Sequence, residues 1–215
     1  MMDIEKYYAK RAREYENVYF RPERKNCIEE SGKILKKYFE NREVLEIACG
    51  TGFWTETISQ VSTKITAVDI NNEVLEVAKT KKYGCNVDFI QDDVYKLDKI
   101  NGKYDSLFAG FWLSHVPKSK ISNFIELIHS KLNNDAMIVF MDNLYVEGNS
   151  TPISRSDEEG NSYQIRKLND NSEYEIIKNF FNEQKLKVLF EDCSKEIYIQ
   201  ELEYFWILKY YKGLQ

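Results

Sequence analysis

Val44-Leu45-Glu46-Ile47-Ala48-Cys49-Gly50-Thr51-Gly52-Phe53-Trp54-Thr55 is the stretch that decides the fold. Val44, Leu45 and Ile47 are apolar and strand-forming, as in a strand buried within a parallel sheet. From Ala48 to Gly52 there is no bulky side chain, so a ligand can lie directly on the main chain. Glycine also permits the left-handed torsions of a tight turn. Phe53, Trp54, Thr57 and Ile58 then open a helical pattern. Two cofactor classes suit such a strand, turn and helix. A nicotinamide dinucleotide asks for G-x-G-x-x-G/A, with its pyrophosphate on the helix N-terminus. Counted from Gly50, the third glycine position holds Thr55, and the acid Glu46 before the turn repels a pyrophosphate. An acidic strand end suits a cationic ligand.

Working outward, the chain has 215 residues, enough for one α/β domain with a full core. A hydrophobic share of 43%, with 15 Tyr and 12 Phe, argues against disorder and points to an aromatic-lined pocket beside the core. The longest apolar run, Met137 to Met141, is far too short to span a bilayer. No apolar leader is visible at the N-terminus. Cys27, Cys49, Cys85 and Cys193 lack C-x-x-C spacing, which predicts free thiols, no metal site and a cytoplasmic protein. A net charge of −5 disfavours a nucleic-acid surface. The basic clusters at Arg11–Arg13 and Arg21–Lys25 are interrupted by Glu and read as solvated helix faces.

The quoted stretch resembles motif I of the class I S-adenosylmethionine-dependent methyltransferases, E/D-x-G-x-G-x-G. It stands here as Glu46-x-Ala48-x-Gly50-x-Gly52, with alanine at the first glycine. The resemblance implies that Glu46, Ala48, Cys49, Gly50, Gly52 and Trp54 surround the cofactor S-adenosylmethionine. The second strand, residues 65–68, ends in Asp69, followed by Ile70. Two carboxylate oxygens there can accept both hydroxyl protons of a ribose, or the acid can cap the next helix, a role for which Asn71 is also suited. The third strand, 87–90, leads into Asp92-Asp93-Val94. By register with the family, Asp93 accepts from an adenine amino group and Val94 borders the ring. The fourth strand, 104–109, places Ala109 at its carboxyl end, where open α/β sheets bind ligands.

Tyr7-Tyr8-Ala-Lys-Arg11-Ala-Arg13-Glu14-Tyr15 resembles the Y-Y-x-x-R-A-x-E-Y segment that serves as a lid in many small-molecule methyltransferases. On that reading Tyr8 and Arg11 face the cofactor, and Tyr15, Tyr19, Phe111 and Trp112 face the acceptor. The alternative is an amphipathic helix covering a sheet edge. A second helix opens at Arg21-Pro22. Helices over 53–60, 73–82 and 118–132 alternate with the strands, Asn133–Asp135 reads as a turn, and a fifth strand covers 136–141. Tyr163–Leu168 and Tyr174–Lys178 flank Asn169-Asp-Asn-Ser172 as a hairpin, Asn182 caps a short helix, and two strands close the chain.

The expected fold is therefore one doubly wound, Rossmann-like domain with a mostly parallel sheet. The family adds seven strands with the last antiparallel. The expected divisions are a helical lid (1–40), a cofactor-binding core (41–142), a substrate-side hairpin insertion (143–195) and closing strands (196–215). Through Arg166-x-Leu168 and Ile177-Lys178-x-Phe180, the insertion resembles that of natural-product methyltransferases, including phosphonate O-methyltransferases.

Methyl transfer from a sulfonium is an in-line displacement with a neutral leaving group, so alignment and water exclusion matter most. A hydroxyl or ammonium acceptor needs a base, whereas an anionic oxygen needs none. His115, after the fourth strand, is the candidate catalytic base, or else a structural hydrogen-bonder. His129 is mid-helix and reads as packing. Arg166 and Lys178 either hold an anionic substrate group or are solvated hairpin charges. The expected activity is methylation of O or N on a small metabolite or natural-product intermediate, with an anionic one among the options. A non-catalytic nucleotide-binding module and an NAD-dependent dehydrogenase are the alternatives. The expected partner is a small molecule, with no nucleic acid or membrane, in a monomer or homodimer.

Overall fold

The structure, a computed structural model, describes residues 2–12 and 14–213. Arg13, within the predicted lid motif, lies outside the described residues. Helices α1 (Met2–Arg11) and α2 (Lys25–Phe39) precede β1 (Glu43–Ile47), α3 (Phe53–Ser59), β2 (Lys64–Asp69), α4 (Asn72–Ala78), β3 (Asn86–Gln91) and β4 (Tyr104–Gly110). Next come α5 (Ile121–Ser130) and β5 (Leu132–Asn143). The short strands β6 (Arg155–Ser156), β7 (Ser162–Lys167) and β8 (Glu173–Ile177) stand apart, and α6 (Glu183–Phe190), β9 (Ser194–Glu201) and β10 (Phe205–Lys212) finish the chain.

The main sheet has seven strands in the order β3-β2-β1-β4-β5-β10-β9. β1 pairs parallel with β2 and β4, and β10 runs antiparallel to both β5 and β9. This is the doubly wound sheet with a reversed last strand. Alternation along each strand sends Leu45, Ile47, Leu107 and Phe140 into one apolar layer and Val44, Ile65, Phe108 and Val139 into the other. With both faces covered, the central strands are mostly apolar, as the sequence predicts, with Glu46, Thr66 and Ser106 as buried polar exceptions. Burying one phenylalanine such as Phe108 contributes about 3 kcal/mol.

Several boundaries differ from expectation for identifiable reasons. Asn133–Asp135 is not a turn but part of β5. Pairing with β4 skips from Leu132 to Met137, and Asp135 takes φ +57°, so the extra residues bulge out of the ladder. Pro22 starts a 3-10 turn (Pro22–Arg24), and the α-helix begins only at Lys25. Lys118–Lys120 is likewise a 3-10 turn before α5. The helix after β2 stops at Ala78. At its start Asn71 makes no side-chain cap; Asp69 Oδ1 instead accepts from Asn71 N at 2.9 Å. The Asn182 cap is present, with its side chain accepting from Lys185 N at 3.0 Å.

The three-stranded sheet β6-β7-β8 rises from the carboxyl end of β5 and contains the hairpin, in which Arg166 lies opposite Tyr174. α1 packs between this hairpin and α4 and so crosses the carboxyl ends of the main strands. No helix among the described residues is long and apolar enough to cross a membrane.

Candidate active site

The turn after β1 is left-handed at Ala48 (φ +52°), Gly50 (φ +56°) and Gly52 (φ +77°). A Cβ on Gly50 would meet nothing within 4 Å, so the main chain there faces open space. A Cβ on Gly52 would fall 2.5 Å from the Tyr83 hydroxyl and 3.1 Å from Ala78 Cβ. Gly50 thus leaves room for a ligand, whereas Gly52 lets the turn approach α4. Ala48 tolerates its left-handed torsion at a cost of about 1 kcal/mol.

Above this turn lies a cavity of about 760 Å³. Ala48, Gly50 and Gly110 form its floor, Asp69, Ile70, Asp93 and Val94 one side, and Ile4, Glu5, Tyr8 and Tyr15 its roof. Phe111, Trp112 and His115 close the far end. A side chamber of about 300 Å³ extends past Glu46, Cys49, Thr51 and Trp54. Ala109 itself is fully buried within β4, and its neighbour Gly110 faces the cavity instead, because successive strand residues point to opposite faces.

Asp69 is buried and raised by that burial to about 6. Its Oδ2 accepts from Gly50 N and its Oδ1 from Asn71 N, both at 2.9 Å, so it staples the turn to β2. Each oxygen keeps acceptor capacity for a hydroxyl. Asp93 Oδ1 accepts from Tyr95 N at 2.9 Å, and its side chain stays partly open to the cavity. Asp92 instead turns inward and accepts from Lys99 N. Glu46 is raised by burial to about 8, and one of its oxygens has no hydrogen-bond partner. A bare main-chain floor, a carboxylate with spare acceptor sites and an unpartnered buried carboxyl fit an adenosyl group with a cationic amino-acid end.

His115 Nδ1 lies 2.6 Å from the Ile177 carbonyl, which can only accept, so Nδ1 carries the hydrogen. Nε2 is then an acceptor, and the Tyr8 hydroxyl donates to it at 2.9 Å. Burial, and then the Lys178 charge, lower the imidazole to about 3, so it is neutral. His129, expected mid-helix, stands in the last turn of α5 and is buried against the Tyr210 hydroxyl at 2.8 Å.

A second cavity, of about 920 Å³, lies behind the wall formed by Tyr8, Tyr15 and Phe111, which border both spaces. Tyr19, Arg166 and Lys178 line it, as does Arg11, which the lid motif had pointed toward the cofactor side. Trp112 borders only the first cavity. Lys178 is buried, and its ammonium donates to Asp142 Oδ1 at 2.9 Å and Ser114 Oγ at 2.6 Å, so its charge is already paired. Burial lowers Lys178 against the pull of Asp142. The Asp142 carboxyl, which burial would raise, is held low by Lys178.

Arg21 and Arg24, read from the sequence as solvated, also line this cavity. The 3-10 turn at Pro22 redirects Arg24 inward, where its guanidinium donates to Asn149 Oδ1 at 2.9 Å. The sequence carried no signal for this contact, since its two partners are 125 residues apart. Asp142 closes β5 in the sequence, but only the hairpin's position reveals its partner.

Residues 44–135 match the model of the family described as "Methyltransferase domain". The ubiquinone biosynthesis O-methyltransferase of Erwinia tasmaniensis is 32% identical over 79 residues, covering 35% of this chain and 32% of that protein. The malonyl-(acyl-carrier protein) O-methyltransferase of Bacillus anthracis is 28% identical over 178 residues, 79% of this chain and 61% of that protein. The chain therefore spans between a third and three-fifths of the length of these curated relatives. Among solved structures, the DhpI-SAH complex superposes with a TM-score of 0.80 at 25% identity, covering 98% of this chain and 96% of that one. Residues 44–135 therefore belong to the methyltransferase domain family, and the chain has the seven-stranded fold of a class I S-adenosylmethionine-dependent methyltransferase.

Proposed function

We propose that the protein transfers a methyl group from S-adenosylmethionine to a small, anionic acceptor. The observation that carries this reading is the pair of adjoining cavities with Tyr8, Tyr15 and Phe111 as their common wall. One has the floor and acids suited to an adenosyl sulfonium, and the other is polar and lined by arginines. The donor rests on Ala48 and Gly50, with Asp69 taking the ribose hydroxyls, Asp93 the adenine side and Glu46 the amino-acid end. S-adenosylmethionine supplies a methyl group on a sulfonium whose departure leaves a neutral thioether. The aromatic wall favours that cation, aligns acceptor against methyl and excludes water.

His115 serves this arrangement in a fixed tautomer. Its Nε2 can take a proton from an acceptor hydroxyl that displaces Tyr8, and with an anionic oxygen it only orients Tyr8. Arg166 grips the acceptor's charge, and Lys178 fixes the hairpin from which Arg166 projects.

The test has two steps. Calorimetry with S-adenosylmethionine, its demethylated product S-adenosylhomocysteine and NAD should give binding of the first two only. Incubation of the enzyme with a cell extract and methyl-labelled donor, followed by mass spectrometry, should yield a labelled small acid or ester. Binding of NAD alone, or no labelled product despite donor binding, would defeat the proposal.

A further inference from the structure

Four arginines line the second cavity, Arg11, Arg21, Arg24 and Arg166, and no acidic residue is among its lining. Among the described residues none of the four has a carboxylate within 4.0 Å. Arg21 is exposed, and the other three are held by neutral acceptors, Arg11 by the Tyr7 hydroxyl at 2.7 Å. Arg24 bonds Asn149, and Arg166 bonds Thr151 Oγ1 at 2.8 Å and Gln164 Oε1 at 2.7 Å. The Nε–H groups of Arg24 and Arg166 are buried without any acceptor. Arg24 is lowered by burial and then by the neighbouring Arg21 and Arg166 charges, with only Glu23 and Tyr204 opposing. Lys178 adds no net charge, since Asp142 balances it. Positively charged groups fixed together without a counter-charge are costly unless an anion completes the site.

The four also divide in a telling way. Arg11, Arg21 and Arg24 belong to the N-terminal segment that roofs the first cavity through Ile4, Tyr8 and Tyr15, while Arg166 belongs to the hairpin. Among the described residues α1 bonds the turn after β4 through Tyr8–His115, and it meets the hairpin through an exposed Lys10–Asp170 pair at 3.7 Å, which holds little, and through Tyr7 and Lys10 against the Tyr174 ring.

We propose that the acceptor is an oxyanion carrying at least two negative charges, and that by bridging Arg24 to Arg166 it clasps the N-terminal segment closed over the bound cofactor. This rests on the methyltransferase reading and adds to it a charge class and a coupling between the two sites. Linkage then requires that the anion and the cofactor tighten each other by the same factor.

The experiment uses the full chain and measures dissociation of S-adenosylhomocysteine by stopped-flow tryptophan fluorescence. The buffers contain inorganic phosphate, acetate or chloride at matched ionic strength and neutral pH. Phosphate should slow release about fivefold or more relative to chloride, and acetate should not. R24A and R166A should each abolish most of that slowing while binding S-adenosylhomocysteine normally in chloride. R24K and R166K, which keep the charge but lose the planar fork, should retain part of it, and circular dichroism checks that all four variants fold. Equal release in phosphate and chloride, equal slowing by acetate, or slowing that survives in R24A/R166A would overturn the inference. If S-adenosylhomocysteine fails to bind in every buffer, the methyltransferase reading itself falls, which is a distinguishable result.

Discussion

Single residues around the glycine turn divide into those that leave space and those that fill it. Gly50→Ala should fold, with a loss of about 1 kcal/mol for its torsion, yet weaken S-adenosylmethionine binding sharply, because the new methyl group would occupy the open space proposed for the cofactor. Gly52→Ala should instead lower stability by about 1–3 kcal/mol, since Tyr83 and Ala78 occupy the space. Calorimetry and chemical denaturation on the two variants separate these outcomes. Glu46 gives a pH signature. Its folded value of about 8 lies above the unfolded value of about 4.3. Between those values the native state holds a proton that the unfolded state lacks, so stability falls as pH rises, by up to about 1.4 kcal/mol per unit. From about pH 7.5 to 8 the histidines contribute little, because His115 and His129, lowered to about 3 and about 4, are neutral in the native state and by then almost wholly deprotonated in the unfolded one. Glu46→Gln should flatten the decline of Tm across that window, and an unchanged slope would refute the assignment. For Asp69, at about 6, cofactor affinity should fall as pH drops below that value, since hydroxyl donors favour the ionised carboxylate.

At the scale of elements, the connection between hairpin and sheet is the one to probe. The turn after β4 is tied to the end of β8 by Asn179 N to Ser114 O at 2.8 Å, by His115 to Ile177 and by Lys178 to Ser114. Asp142 accepts from Lys178 and, through Oδ2, from Ser114 N at 2.9 Å. Removing one member of a buried pair leaves the other charge stranded. Lys178→Met should therefore cost about 3–5 kcal/mol, and adding Asp142→Asn should recover part of the loss in a denaturant titration. These ties also mark the limit of what the sequence makes legible. The central strands, the glycine turn, Asp69 and the hairpin could be read because each is a local pattern of apolar runs, small residues or turn formers. Lys178 could be read only as a charge on a hairpin, since its partner is 36 residues away. Arg24 escaped notice because a 3-10 turn, rather than the expected helix, decides where it points. The bulge at Asp135 likewise depends on pairing with β4, which no local pattern reports.

For the molecule as a whole, α1 covers the proposed cofactor cavity and packs chiefly on α4 and the small sheet. Deleting residues 1–12 should raise the dissociation constant for S-adenosylhomocysteine about tenfold or more, but lower Tm by only a few degrees, because the main core is untouched. A collapse of Tm would mean that α1 is structural rather than a cover. The wall of Tyr8, Tyr15 and Phe111 has a wider consequence. On the proposed function it separates a donor half built on β1, β2 and β4 from an acceptor half whose charged groups arise from residues 11–24 and 166–178. Mutation can therefore rewrite the choice of recipient without disturbing the machinery that supplies the methyl group, and exchanging those two segments between cousins of this chain is a direct route to new chemistry on an unchanged scaffold.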